Sequence, residues 1–513
     1  MSPARTPFST TGTRANSVLG GGGADGRPRI ERVSSDTESS AEAEALRPRT
    51  PPEPQRPEAG TTPIAAAPSP WVLVGLISLI VLSAFESLAI MTAMPLVTAD
   101  LDGANAYALA FSAPIAAGVI GMILAGDWAD RRGPRAPLYA AVIALTVGLL
   151  IAGLAPSMPV FIGGRIIQGI GGGAITVPIY VIVARVYPEE RHPRIFASFA
   201  AAWVLPSLIG PVIAGSVAES VGWRWVFLGV VALVVAALAM VGIALRGRLT
   251  DAAGTAPRWT PVRLGWSVLA AAAVLALTLT AELDGALRWI VAVVAVVVAA
   301  VALIPLVPPG TLRSAWGLPS VVLVRLLMAA AFFGAEAYVP YLLVKQYDYT
   351  AAFAGLALTG AGVAWALGSH LQGRAGYRIA SADVVRWGAT GLFAGIVIVG
   401  VTSALHLSPF LAIGGWVAAG VGMGFGYPRL SVLTLEYSDV GNQGANSSAL
   451  AIADALGAAA ALAATALAVV TAAGTSAEEA SAAQSSAGFT AAFAVAAACG
   501  FAALLLGARV RRR

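Results

Sequence analysis

After a polar stretch of about seventy residues, apolar runs long enough to cross a lipid bilayer recur to the end of the chain. A spanning helix needs about 20 residues for a hydrocarbon core of roughly 30 Å. Fourteen segments meet this: 71–97, 106–126, 137–155, 159–186, 195–218 and 224–245, then 264–281 and 287–307, then 319–346, 351–373, 385–404, 408–435, 445–472 and 488–508. The pattern predicts an all-α membrane protein. Two six-helix bundles, 71–246 and 319–508, are joined by 247–318, a central loop with two additional spanning helices; a twelve-helix reading requires that extra pair to lie in the interface.

The two sets of six begin alike. The first segment ends Ala93-Met94-Pro95 before a polar turn and a small-residue helix; the ninth ends Tyr338-Val339-Pro340 before Gln346-Tyr347-Asp348 and another. Such internal repetition suits a carrier whose substrate site lies near the bilayer midplane between its halves.

Composition agrees, at 58% hydrophobic and 12% charged residues, far more apolar side chain than a soluble globule buries. The formal charge of +5 does not point to nucleic acid, because the arginines sit between apolar runs rather than in one patch. Residues 1–70 carry eight Arg, eight acids and many Pro, Ser and Gly without hydrophobic period, and read as a disordered cytoplasmic tail with no signal peptide before it. Cytoplasmic loops carry the Lys/Arg excess. Alternate loops hold Arg131, Arg132 and Arg135; Arg185, Arg191 and Arg194; Arg246, Arg248, Arg258 and Arg263; Arg313; and Arg374, Arg378 and Arg386, and the tail 509–513 continues the series. The opposite loops offer Arg224, Arg288 and Lys345 against Asp100, Asp102, Glu282, Asp284, Glu478 and Glu479. Both termini are therefore expected in the cytoplasm, and the extra pair forms a hairpin that leaves and returns to that side. Cys499 stands alone and His192, His370 and His406 are scattered, so neither a disulfide nor a metal site is expected.

Three stretches carry a family resemblance. After the second span, Gly126, Asp130, Arg131, Gly133 and Arg135 in GDWADRRGPR resemble the loop motif of the major facilitator superfamily, with Pro134 where a basic residue is usual. Glycine permits the tight turn, and a carboxylate with a guanidinium can latch neighbouring helix ends in one state of a rocking cycle. The second half's loop keeps Gly368, Arg374, Gly376 and Arg378 and lacks the acid. In the fourth span, Arg165-x-x-Gln168-Gly169-x-Gly171-Gly172-Gly173 is similar to the family's basic-helix motif. In the fifth, Gly210-Pro211-x-x-Ala214-Gly215 resembles its antiporter motif, with Pro206 where a glycine is usual. Trp223-Arg224-Trp225-x-Phe227 resembles the sixth helix of fourteen-helix drug:proton antiporters, and equally suits an interfacial aromatic belt.

Acids inside spans are the chemical candidates. Glu86 precedes Pro95 by nine residues, the spacing at which the fourteen-helix antiporters place an acid. A carboxylate in hydrocarbon is expensive while charged and can bind and release a proton. At 1.5 Å per residue, Glu86 lies about 22 Å from the cytoplasmic start of its helix and Arg165 about 21 Å from the same side, so the two can meet. Glu336, about 26 Å up the ninth segment, and Asp454, about 14 Å into the thirteenth, either face the cavity as further protonation or cation-attracting groups or are paired inside the bundle. Arg325 and Arg429 either snorkel or line the cavity.

The resemblance implies a non-enzymatic, proton-driven exporter of amphipathic or hydrophobic small molecules in a bacterial inner membrane, working as a monomer. The alternative is a lipid or metabolite carrier of the same fold acting as importer or uniporter. There is no phosphate-binding loop of the Gly-x-x-x-x-Gly-Lys type, and the sole lysine is Lys345, so the expectation is no cofactor, with protons, substrate and lipid as partners.

Overall fold

The computed structural model describes residues 70–103, 106–245, 261–280, 283, 285–473 and 486–512. The tail expected at 1–70 lies outside them apart from Pro70, as do Arg246, Arg248, Arg258, Glu282, Asp284, Glu478, Glu479 and Arg513. The described residues are helical, with no strand among them, and those from 66 onward belong to one compact unit.

The first half comprises α1 (Pro70–Asp100), α2 (Tyr107–Arg132), α3 (Arg135–Gly153), α4 (Met158–Val186), α5 (His192–Ala201), α6 (Val204–Ser220) and α7 (Arg224–Ala244). The hairpin is α8 (Pro261–Leu279) and α9 (Gly285–Leu303). The second half comprises α10 (Leu318–Glu336), α11 (Tyr338–Gln346), α12 (Ala351–Ala375), α13 (Ser381–Ala404), α14 (Pro409–Glu436), α15 (Gln443–Ala473) and α16 (Ser486–Leu506). Thirteen spans among the described residues are long and apolar enough to cross a membrane. The fourteenth expected segment, 351–373, is α12, a 25-residue helix about 37 Å long at 1.5 Å per residue, with Ser369, His370, Gln372 and Arg374 diluting its last two turns.

Two expected spans are broken. The segment 195–218 divides into α5 and α6 around Trp203, and 319–346 divides into α10 and α11 at Ala337. Proline explains both. Pro206 and Pro340 have no N–H to give the carbonyls four residues back, those of Ala202 and Glu336, so the ladder lapses there. Elsewhere the chain turns with local aid: Gly133 has φ 80° between α2 and α3, a conformation glycine adopts freely. The Thr350 side chain accepts a bond from Phe353 N–H to cap α12.

Lipid offers helices no hydrophobic drive to associate, so close backbone approach and van der Waals packing hold the bundles together. The Gly-rich α4 and α14 each wedge between two neighbours, α2 and α3 in one half, α12 and α13 in the other. A methyl group on Gly169 would run into the Pro114 carbonyl, and one on Gly424 into that of Trp365. Two cores result. One joins α1–α7; the other joins the second half with the hairpin and with Ala116, Val119 and Ile123 of α2.

Candidate functional site

The hydrogen bonds described between the halves gather at one end of the bundle, the face carrying Arg131, Arg185, Arg194, Arg374 and Arg378. There Asp130 is buried, and its Oδ1 and Oδ2 accept the N–H groups of Gly444 and Ala445 at 2.6 and 2.7 Å. Its carboxylate thus caps the first turn of α15, where unsatisfied donors and the helix dipole favour an anion. The sequence motif suggested a guanidinium partner; backbone N–H groups fill that role. Arg131 turns to Asp127, at 3.7 Å, which also pairs with Arg263 of the hairpin at 2.6 Å. Arg135 lies 5.8 Å from the Tyr139 ring centroid. Gly126 faces Gly444 so closely that a methyl group there would strike its carbonyl.

Deeper in the first half, α1 and α4 bring Glu86 and Arg165 together. Arg165 Nη1 meets Glu86 Oε1 at 2.6 Å, and their side chains are 6% and 14% exposed, so neither charge is dissolved in water. Gln168, one turn along α4, donates its amide to the same Oε1 and accepts Arg165 Nη1 at 2.8 Å. One carboxylate oxygen therefore carries both contacts. Arg165 Nε reaches the Ala110 carbonyl at 3.5 Å. Helix α6, which carries Gly210-Pro211, packs on α1 at this level: an added methyl on Gly210 would sit 3.5 Å from the Phe85 ring, and on Gly215 3.3 Å from Thr92. Space exists beside Gly210 in this state. Pro211 is exposed on the other side of α6.

The second half pairs Asp454 of α15 with Arg325 of α10. Arg325 donates Nε and Nη2 to the two Asp454 oxygens at 2.6 and 2.8 Å, and Nη1 to the Tyr427 carbonyl at 2.7 Å and Ser431 Oγ at 3.1 Å. Its guanidinium also lies over the Tyr427 ring, 3.2 Å from the centroid. Tyr427, Trp365, Phe332 and Trp416 form a chain of ring contacts beneath it, edge-on except for the stacked Phe332–Trp416 pair. Arg429 is fully buried rather than snorkelling. Glu336, the last residue of α10, is half-buried with no hydrogen bond or ion pair among the described residues. At the end away from the Arg-rich face, Asp100 accepts from Arg224 at 2.8 Å and from the Trp223 indole at 3.1 Å, bonds that hold its carboxyl below the usual range.

Sequence reasoning had Gln168 only as a member of the basic-helix motif, without its bond to Glu86, and missed the Arg325 partnership. Gln168 is three residues from Arg165 and so on the same helix face. Arg325 was within reach of the depth argument: it lies about 9 Å from the start of its segment and Asp454 about 14 Å from the same side, a gap an arginine side chain bridges.

Comparison with known proteins settles the family: a profile described as Major Facilitator Superfamily matches residues 76–462. The chain belongs to the major facilitator superfamily. It is 27% identical over 385 residues to a protein of Mycobacterium tuberculosis named as a probable multidrug-efflux transporter, covering 71% of this chain and 79% of that one. It is 30% identical over 167 residues to Multidrug resistance protein 3 of Bacillus subtilis, a match spanning 33% of each chain. An uncharacterized transporter of Schizosaccharomyces pombe is 31% identical over 30% of this chain and 26% of its own length, so for these last two the chain matches a third or less of the relative. Among solved structures, the human organic anion transporter MFSD10 superposes with a TM-score of 0.63 at 16% identity, covering 85% of this chain and 99% of that one. The proton:xylose symporter XylE gives 0.60 at 15%, covering 85% and 94%. These likenesses carry the fold. Membership places the chain in a superfamily of membrane transporters.

Proposed function

We propose that this chain is a proton-coupled exporter of amphipathic or hydrophobic small molecules, an antiporter working by alternating access as a monomer. It acts in a bacterial cell membrane with both termini in the cytoplasm. The observation that carries the reading is the Glu86 carboxylate, held between α1 and α4 by one guanidinium and one amide on a single oxygen. While charged, Glu86 ties Arg165 and Gln168 to α1. Protonation removes the charge that holds Arg165 and frees the two helices to shift. Because Asp130 closes the Arg-rich end in this state, the cycle is read from a state in which Glu86 is reached from the other side. An exporter in that state takes a proton onto Glu86 from outside, rocks so that the Arg-rich end parts, and loses the proton inward when substrate arrives.

Export is supported by the Gly210-Pro211 segment of α6, packed on α1 beside Glu86, and by relatives named for multidrug efflux and multidrug resistance. Broad apolar specificity is supported by the scarcity of polar groups on the spans. The test uses everted vesicles acidified by respiration, with a pH-sensitive dye inside and a panel of lipophilic cations and neutral amphiphiles added outside. At least one compound should discharge the gradient only in vesicles containing the chain. Compound movement without proton flux, or proton and compound moving in the same direction, would overturn the antiport reading and leave an importer or uniporter.

A further inference from the structure

The Arg-rich face is closed by two seams of unlike construction. Along one, α2 crosses α15. Asp130 takes two backbone N–H groups of α15 at 2.6 and 2.7 Å, and Arg185 Nη2 donates to the Val440 carbonyl at 3.2 Å. The hairpin lies over this seam. Helix α8 packs along α2 and also reaches α15, α9 touches α15 as well, and Arg263 holds Asp127 at 2.6 Å, one turn from Asp130.

Along the other seam, α12 crosses α5. The helices also pack tightly, since a methyl on Gly373 would meet the Ala197 side chain at 2.8 Å and the Pro193 carbonyl at 3.1 Å, though the backbones stand farther apart than at Gly126 and Gly444. The polar contacts are poorer. Gln372 stands four residues after Gly368, as Asp130 stands after Gly126, and it gives the Pro193 carbonyl a long 3.4 Å bond. Its Oε1 is buried without a described partner. Pro193, in the first turn of α5, has no N–H to offer an acceptor there. Arg429 spends Nη2 on the carbonyls of Gly376 and Gln372 at 2.6 and 3.4 Å, while its Nε and Nη1 are buried without described partners. The Tyr377 hydroxyl reaches the Glu189 carbonyl at 3.4 Å. Neither hairpin helix packs against α5 or α12 among the described residues.

We infer that the Arg-rich face parts asymmetrically, with the α5–α12 seam swinging wide while the hairpin straps the α2–α15 seam and makes it the hinge. Charge-assisted bonds such as those of Asp130 are roughly twice as strong as neutral ones. Opening that seam breaks them and strains the strap. Opening the other seam breaks weak bonds and hydrates groups that burial leaves unsatisfied. The inference rests on alternating access and is independent of proton coupling.

The test is pulsed electron spin resonance on the full chain in lipid nanodiscs, with Cys499 replaced by Ser and spin-label pairs placed across each seam. Exposed positions suit this: Arg132 with Asp439 on the hairpin side, Arg191 with Arg374 on the other. At neutral and acid pH, the separated population at Arg191/Arg374 should exceed that at Arg132/Asp439 by at least about threefold. Gln372→Glu, which replaces the donor to the Pro193 carbonyl with a carboxylate that repels it, should enlarge the first population about threefold, and Arg263→Gln should enlarge the second by a similar factor. Equal populations at the two seams, present or absent, overturn the inference, as does a Gln372→Glu variant without effect. An asymmetry that ignores pH upholds it and sinks only the proton-driven reading.

Discussion

Each half buries one arginine against one acid, and the two centres differ in grip. Arg325 holds both Asp454 oxygens in a fork, adds two bonds to α14 and stacks on Tyr427. Arg165 touches Glu86 through one nitrogen, and Gln168 shares the same oxygen. A forked, fully bonded pair is costly to open, because either charge left alone in a low-dielectric interior is uncompensated. A one-point pair with an amide standing by has an exit. The difference assigns the second-half pair to holding α10, α14 and α15 together, and the first-half pair to changing state.

The largest expected effect follows from the fork. Asp454→Asn leaves Arg325 buried without its counter-charge and should cost about 3–5 kcal/mol of stability, read as a lower thermal unfolding temperature in detergent. A stable Asp454→Asn protein that has lost transport would reverse the assignment and make Asp454 the coupling acid. Glu86→Gln likewise swaps the acid for an amide, but Arg165 loses the charge of a one-point contact rather than a fork and keeps its bonds to Gln168 and the Ala110 carbonyl. It should cost about 1 kcal/mol of stability while reducing gradient-driven transport at least about tenfold, the equivalent of about 1.4 kcal/mol in the rate-limiting barrier. Gln168→Leu comes next. It removes a hydrogen bond to a charged group, worth about 1.5–3 kcal/mol, and should lower transport while leaving Arg165–Glu86 coupling measurable in a double-mutant cycle. Transport unchanged in Gln168→Leu would show that the amide is idle.

Asp100 gives the smallest effect. Its folded value is depressed by Arg224 and Trp223, so the stability it adds is present above the unfolded carboxylate value and is lost as pH falls through the folded one. Unfolding temperatures of the parent and Asp100→Asn should therefore differ slightly near neutrality and converge in acid; a gap that widens in acid would contradict the sign. The pair is surface-exposed, and salt should shrink the gap further.

How much of this was legible in the sequence depended on what leaves a trace in residue type. The spans and the hairpin followed from run lengths and a fixed rise per residue, because lipid enforces both, and the same depths allowed Glu86 and Arg165 to meet without requiring it. The breaks at Trp203 and Ala337 did not follow, although Pro206 and Pro340 marked them, since prolines such as Pro95 and Pro178 sit inside unbroken helices. The partner of Asp130 was hidden because it is backbone N–H, common to nearly every residue. Arg325 was read as a choice between snorkelling and cavity when depth alone pointed to Asp454. Glu336 stays apart from both pairs, and its position beside a helix break, rather than any partner, makes it the next acid to probe.

Proteoliposomes separate the carrier's movements from its coupling. Purified chain is reconstituted with a compound identified in the vesicle screen, and two rates are compared for the parent and Glu86→Gln: exchange of labelled for unlabelled compound, and efflux driven by an imposed pH gradient. If Glu86 carries the coupled proton, the variant keeps exchange within about threefold of the parent and loses the gradient-driven component. A Glu86→Gln protein whose efflux still follows the pH gradient at the parent rate would contradict that role.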